Sequence, residues 1–149
     1  MKIKLLLVDD EKDFIESLAE RLQLRDFDVK SALNGDDAIK LVSENEFDVI
    51  ILDVKMPGMD GNATLKEIKR QFPMIEVIML TGHATVESAI DGLKSGASDY
   101  LMKPADIGDL IQKAEDAFAR RQNLESKIRV AQMRKLMGSP REIIQDSEK

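Results

Sequence analysis

Apolar positions along the chain fall into two alternating patterns. Continuous runs rich in β-branched residues occupy residues 3 to 8 (IKLLLV), 47 to 54 (FDVIILDV) and 76 to 80 (EVIML). None alternates as a strand with one wet face would, so these runs predict strands buried on both faces of a parallel sheet. Weaker strand signals at 28 to 32 (DVKSA) and 99 to 103 (DYLMK) suit the edges of that sheet. Between the runs, apolar residues recur at spacings of three and four: Phe14, Ile15, Leu18 and Leu22; Ala38, Ile39 and Val42; Leu65, Ile68 and Phe72; Val86, Ala89, Ile90 and Leu93; Leu110, Ile111, Ala114 and Phe118. That spacing predicts five amphipathic helices. Strict alternation of strand and helix, with right-handed crossovers, predicts an α/β domain: a doubly wound, five-stranded parallel sheet with helices on both faces.

Turn residues fall where this scheme needs them. Asn34-Gly35 leads into the second helix, Pro57-Gly58 opens a loop, and Gly96 follows the fourth helix as a C-terminal cap. Asp106 and Asp109 are the capping candidates for the fifth. From about residue 119 the chain turns polar and basic, so the last helix is expected to overrun a domain spanning 1–120 into an extension at 121–149. Leu124, Ile128, Ala131 and Leu136 keep a rough apolar stripe before Gly138 and Pro140 break the pattern. The stripe is open to two readings, a partner helix or homodimer seam on one side and a solvated, fraying helix on the other. Residues 139 to 149 are expected to be disordered.

Composition narrows the function. At 149 residues the chain has room for one domain with a real core and none for a second output domain. No apolar run reaches the roughly 20 residues that span a bilayer, and no secretory-type cleavage site follows Met1-Lys2-Ile3-Lys4, so a cytoplasmic location without membrane insertion is expected. With no cysteine there are no disulfides, thiolate metal sites or cysteine nucleophiles. Residues 1 to 120 hold 24 acidic against 15 basic side chains, and the remainder 4 against 7. An acidic domain is poorly suited to neutralising phosphate backbones, which argues against direct nucleic-acid binding.

In a doubly wound sheet, chemistry gathers beyond the carboxyl ends of the strands. Here the first strand ends in Asp9-Asp10, the third in Asp53, the fourth in Thr81-Gly82 and the fifth in Lys103-Pro104. Three carboxylates brought together repel one another, an arrangement that a hard divalent cation such as Mg2+ (or Mn2+) stabilises. The remaining groups fit phosphoryl transfer, which is mostly positioning and charge neutralisation. Asp53 would be the nucleophile forming an acyl phosphate, Lys103 would neutralise phosphoryl oxygens, and Thr81 would donate its hydroxyl to one of them. Singly, each feature has a plainer reading: Asp9-Asp10 as a turn and helix cap, Thr-Gly as a turn, Lys-Pro as an exposed boundary. Their joint occurrence at successive strand ends favours a site.

Over residues 3 to about 120 the chain resembles the receiver domain of two-component response regulators. The resemblance is carried by Asp9 and Asp10, the phosphoacceptor segment LDVKMPGMDG around Asp53, Thr81, Tyr100 and Lys103-Pro104. It implies a flavodoxin-like (βα)5 fold and a metal held by Asp10, Asp53 and the backbone carbonyl of Lys55, with Asp9 acting through water. It implies a cis Lys103-Pro104 bond, which proline makes accessible. It implies a switch in which Thr81 moves toward the phosphoryl group and Tyr100 rotates inward, signalling through the face of helix 4, strand 5 and helix 5. Lys55 and His83, two residues after the acceptor and the threonine, would tune the lifetime of the phosphorylated state.

The implied activity is Mg2+-dependent, self-catalysed phosphotransfer and autodephosphorylation rather than metabolic turnover. The implied partners are a sensor histidine kinase or phosphotransfer protein and a downstream protein target. Receivers attached to AAA+ transcriptional activators are the most similar subgroup. Two other classes compete. A haloacid dehalogenase-type phosphohydrolase needs a second Asp two residues after its nucleophile, where this chain has Lys55. A pseudo-receiver, a phosphate-independent interaction module, would not require the full acidic, hydroxyl and ammonium set. No GxGxxG or P-loop follows the first strand.

Overall fold

Odd and even residues of the central strands face opposite layers, and that parity organises the molecule. The computed structural model describes residues 2–54, 56, 58–82 and 86–137. The elements alternate as β1 (Lys4–Val8), α1 (Lys12–Gln23), β2 (Asp28–Ala32), α2 (Gly35–Glu44), β3 (Val49–Leu52), α3 (Gly61–Gln71), β4 (Glu76–Thr81), α4 (Val86–Lys94), β5 (Asp99–Met102) and α5 (Ile107–Leu136). All five strands are parallel, in the order β2-β1-β3-β4-β5. The doubly wound, flavodoxin-like architecture expected from the apolar pattern is the one observed, with β2 and β5 at the edges.

Leu6, Val8, Ile50, Leu52, Val77 and Met79 face one layer, packed with Ala38 and Val42 of α2 and Leu65 and Ile68 of α3. Leu5, Leu7, Val49, Ile51, Ile78 and Leu80 face the other, with Ile15, Leu18 and Leu22 of α1 and Leu110, Ala114 and Ala117 of α5. Each fully buried aliphatic side chain in these layers contributes roughly 1.5–3 kcal/mol by leaving water. A register slip of one residue would exchange the two sets, so the pairing is firmly specified.

Helix ends follow local chemistry. Asn34 caps α2, its Oδ1 accepting from the Asp37 N–H at 2.8 Å, and Asp60 caps α3 through the Ala63 N–H at 2.8 Å. α4 closes in a Schellman arrangement: the N–H of Ala97 donates to the Gly92 carbonyl and that of Gly96 to Leu93, with Gly96 at φ +107°. Asp106 stands at the N-cap of α5 but makes no side-chain capping bond, and Asp109 lies in the first turn, where its charge complements the helix dipole. The expectation that these two cap the helix by hydrogen bonding is corrected accordingly for Asp106.

α5 is tied down along its first half and then leaves the sheet. Lys113 pairs with Asp99 at 2.7 Å, Arg120 with Glu76 at 3.0 Å, and the Arg121 guanidinium donates to the Phe47 carbonyl. Beyond these anchors Leu124, Ile128, Val130 and Met133 are exposed. Residues 139 to 149, expected to be disordered, lie outside the described residues. No helix among the described residues is long and apolar enough to cross a membrane.

The Asp99–Lys113 pair makes stability depend on pH. Burial raises the Asp99 carboxyl, but the Lys113 hydrogen bond, the Tyr100 N–H and the charges of Lys113 and Arg120 outweigh it and leave the group below its usual value of 3.8. A depressed native pKa stabilises the fold above the unfolded value and loses that contribution as pH falls through the native one. Because the pair is partly solvated, Asp99→Asn is expected to cost only about 0.5 kcal/mol at neutral pH, with the gap to wild type closing as pH falls below the ordinary carboxyl value of 3.8 and through the lower native one. Urea unfolding curves from pH 2 to 7 measure this.

Candidate functional site

Strand order reverses between β1 and β3, and the chain segments leaving them diverge to opposite faces, opening a crevice at the carboxyl edge of the sheet. Asp9 follows β1 and Asp53 follows β3. Their backbones are pinned by the sheet, the Asp9 N–H donating to Ala32 at 3.2 Å and the Asp53 N–H to Val8 at 2.9 Å. Gly61, the first residue of α3, presses against the chain where it leaves β3. Its N–H donates to the Val54 carbonyl at 2.7 Å. A Cβ there would lie 2.0 Å from the Asp53 carbonyl oxygen and 2.6 Å from Val54 Cα, so only glycine lets the helix approach this closely.

Carboxylate oxygens of Asp9, Asp10 and Asp53 all lie within 4.8 Å of one another. Asp9 and Asp53 are buried and Asp10 is exposed. The oxygens differ in what they already hold. Asp9 Oδ1 accepts the Glu11 N–H at 2.9 Å and Oδ2 accepts from Lys103 at 2.6 Å, so both are engaged. Asp53 Oδ1 is buried without a hydrogen-bond partner. A solvent-shielded carboxylate oxygen lacking a donor is costly to keep, and it suits a position where a cation or a reacting atom is received.

Lys103 reaches the cluster from the end of β5. Its Nζ lies 2.6 Å from Asp9, 3.2 Å from Glu11 and 4.0 Å from Asp53 Oδ2, and 4.4 Å from the centroid of the Phe14 ring. Its backbone N–H donates to the Thr81 carbonyl at 2.9 Å, and the Lys103-Pro104 bond is cis. Burial alone would lower the Lys103 ammonium, but its contacts with Asp9, Glu11 and Asp53 together raise it above the usual lysine range. Burial likewise pushes the Asp9 carboxyl up, an effect that the Lys103 hydrogen bond only partly offsets and the Asp53 charge reinforces. Three acids and one firmly charged amine leave the cluster with an excess of negative charge.

Thr81 is the last residue of β4 and fully buried at the same sheet edge. Tyr100 is partly buried in β5, beside Met79 in register. Gly92 of α4 packs over its ring, since a Cβ there would sit 3.4 Å from Tyr100 Cε2. Lys55 and His83, the expected lifetime residues, lie outside the described residues. The structure thus brings Asp9, Asp10, Asp53 and Lys103 into one cluster with Thr81 at its margin. Glu11, not singled out from the sequence, and Phe14, expected only as part of the α1 apolar stripe, join that cluster. The available signal was their place in the first turn after the acidic pair.

Comparison with known proteins agrees with this geometry. A family model described as response regulator receiver domain matches residues 5–115. The chain is 42% identical over 118 residues to the transcriptional regulatory protein ZraR of Salmonella typhimurium, a match covering 79% of this chain and 27% of that protein. The chain spans less than a third of the length of the curated relatives it matches first, at 27% to 30%. Among solved structures, a CheY-like receiver domain protein from Methanospirillum hungatei superimposes with a TM-score of 0.80 at 26% identity, covering 83% of this chain and 98% of that one. A Burkholderia pseudomallei response regulator, solved with a phosphorylated aspartic acid, a calcium ion and citrate, superimposes with a TM-score of 0.73 at 28% identity, covering 83% and 73%. With its sheet order, its acidic crevice and a family match over most of its length, the chain belongs to the receiver domains of two-component response regulators.

Proposed function

We propose that this receiver accepts a phosphoryl group on Asp53 from a phosphohistidine donor on a sensor kinase or phosphotransfer protein. The observation that carries the reading is the Asp53 carboxylate: its Oδ1 is buried without a partner, its Oδ2 stands 4.0 Å from the Lys103 ammonium, and carboxylate oxygens of Asp9 and Asp10 lie within 4.8 Å of it. A carboxylate oxygen of Asp53 attacks phosphorus, the phosphorus–nitrogen bond to the donor imidazole breaks, and the imidazole leaves with its electron pair. Lys103 and the Thr81 hydroxyl neutralise charge on the phosphoryl oxygens. Asp10, Asp53 and the Lys55 backbone carbonyl would hold Mg2+ or Mn2+, with Asp9 acting through water, and the ion would supply the remaining positive charge. The donor set fits such an ion, since Asp9 has both oxygens engaged while Asp53 has one to spare. The phosphorylated aspartic acid in the Burkholderia pseudomallei relative supports the acceptor assignment. Because a phosphohistidine donor draws on ATP, the reading carries a cytoplasmic location.

The signal leaves by a population shift in which Thr81 moves toward the phosphoryl group and Tyr100 turns inward under Gly92. Ile90, Leu93 and Met102 are exposed on α4 and β5, an apolar surface suited to a downstream protein. Residues 1–120 form the receiver and 121–149 an extension whose stripe serves a homodimer. Leu110, Ala114 and Ala117 bury against the sheet, and the same face of α5 continues as exposed Leu124 and Ile128 where no sheet lies beneath.

Mass measurement after incubation with acetyl phosphate and Mg2+ is expected to show one added phosphoryl group on wild type and none on Asp53→Asn, with EDTA abolishing incorporation. No incorporation by wild type would instead mark a pseudo-receiver. Lys55→Ala and His83→Ala are each expected to change the dephosphorylation rate severalfold, and unchanged rates would remove both from the lifetime role. Leu124→Glu with Ile128→Glu is expected to shift sedimentation from dimer toward monomer without altering the circular dichroism of the domain.

A further inference from the structure

Glu11 occupies the N-cap position of α1, where Ser, Thr, Asp and Asn are favoured because a short side chain reaches back to the first free N–H groups. Glu11 makes no such bond. Its backbone N–H is held by Asp9 Oδ1, and its carboxylate extends instead to Lys103 Nζ at 3.2 Å, a contact between residues 92 apart in sequence. On the same turn, the Phe14 ring lies 4.4 Å from that ammonium. The ammonium is thus drawn to Asp9, Glu11 and the ring face, while Asp53 Oδ2 stands at 4.0 Å, beyond hydrogen-bond reach.

We propose that Glu11 is a positioning residue that holds the Lys103 ammonium off the phosphoacceptor in the resting protein, so that phosphoryl transfer to Asp53 competes with the Glu11–Lys103 contact. The inference rests on the Asp53 reading above and deepens it. Lys103 must follow the incoming phosphoryl oxygens, and every contact it breaks to do so adds to the barrier. Asp9 cannot be the adjustable partner, because it belongs to the acidic set that receives the ion. Glu11 is free to be: its side chain is 64% exposed, it is outside the cluster of three carboxylates, and water replaces its partner when the ammonium departs. Phe14 supports the held position without adding a charge. An exposed ion pair is a weak restraint, so the effect is a graded brake rather than a block.

The test uses Glu11→Gln, Glu11→Asp and wild type. Glu11→Asp keeps the charge but shortens the reach, and as a better N-cap it is expected to leave α1 at least as stable. For each protein, phosphorylation by acetyl phosphate is followed to saturation in donor and Mg2+. The expected result is a saturating rate about threefold higher in both variants, with the half-saturating donor concentration changed less than the rate. A second measurement needs no phosphorylation: in metal-free protein the Lys103 side-chain 15N resonance is expected to shift in both variants, and its ammonium protons to exchange with water faster. Faster phosphorylation in Glu11→Gln alone would mean that the charge near an anionic donor matters and the contact does not, which overturns the proposal. Equal rates and an unmoved resonance in all three proteins overturn it as well. Wild type that takes up no phosphate, with the Lys103 resonance still responding to Glu11, would refute the Asp53 reading and this brake on it while leaving the contact itself demonstrated.

Discussion

Like charges on one sheet edge repel, and the receiver's site is built on that repulsion. Burial raises their mutual cost: Asp9 and Asp53 are almost fully shielded from water, and among the described residues Lys103 is the cation that meets them both. An ammonium at 2.6 Å from Asp9 balances one charge and leaves the rest exposed to each other. A protein under no constraint to bind anything there would replace one acid with an amide. Keeping all three concentrates negative charge at one edge, and the Asp53 oxygen without a hydrogen-bond donor lies within that concentration.

Holding such a cluster in place requires rigidity beneath it. The parity of β1, β3 and β4 supplies this, because residues 5–8, 49–52 and 77–80 each belong to one of two dry layers and cannot turn without exposing an aliphatic side chain. Gly61 tightens the arrangement by letting α3 rest on the backbone of Asp53 and Val54, a contact that any Cβ would break. The flanks are built differently. β5 is a short edge strand, α4 carries a glycine at its contact with Tyr100, and both bear exposed apolar side chains. In the proposed switch, the firmly held Asp53 backbone would be the fixed point and this rim the part that answers a displacement at Thr81.

How far the sequence foretold this follows from the range of the forces involved. Strand runs and helical stripes are local patterns set by burial, and they located all five strands, the edges among them. The convergence of Asp9, Asp10, Asp53 and Lys103 was legible because strand ends in a parallel sheet share one edge, so topology stands in for distance. The contacts of Glu11 and Phe14 with Lys103 were not legible because that partner lies at the far end of the sheet in sequence, and nothing in DDEKDF announces a lysine 92 residues after Glu11. Asp106 illustrates the opposite error, a favourable capping residue at the right position that makes no capping bond. Local propensity names the position, and tertiary contacts decide what the side chain does there.

The same distinction bears on α5. Its apolar stripe is one periodic pattern through residue 131, yet the structure divides it, Leu110, Ala114 and Ala117 buried on the sheet and Leu124 and Ile128 exposed beyond it. The break comes at Arg121, whose guanidinium donates to the Phe47 carbonyl and stands 3.6 Å from Asp48 at the amino end of β3. An arginine there serves both environments: its stem covers the last of the core while its charge satisfies backbone and carboxylate at the rim. The helix beyond has little beneath it, and its Arg121–Glu125 and Glu125–Arg129 pairs are worth only a few tenths of a kcal/mol each. A helix supported this weakly from within depends on packing outside itself, because tertiary or quaternary contacts, more than propensity, are what keep helices folded in water.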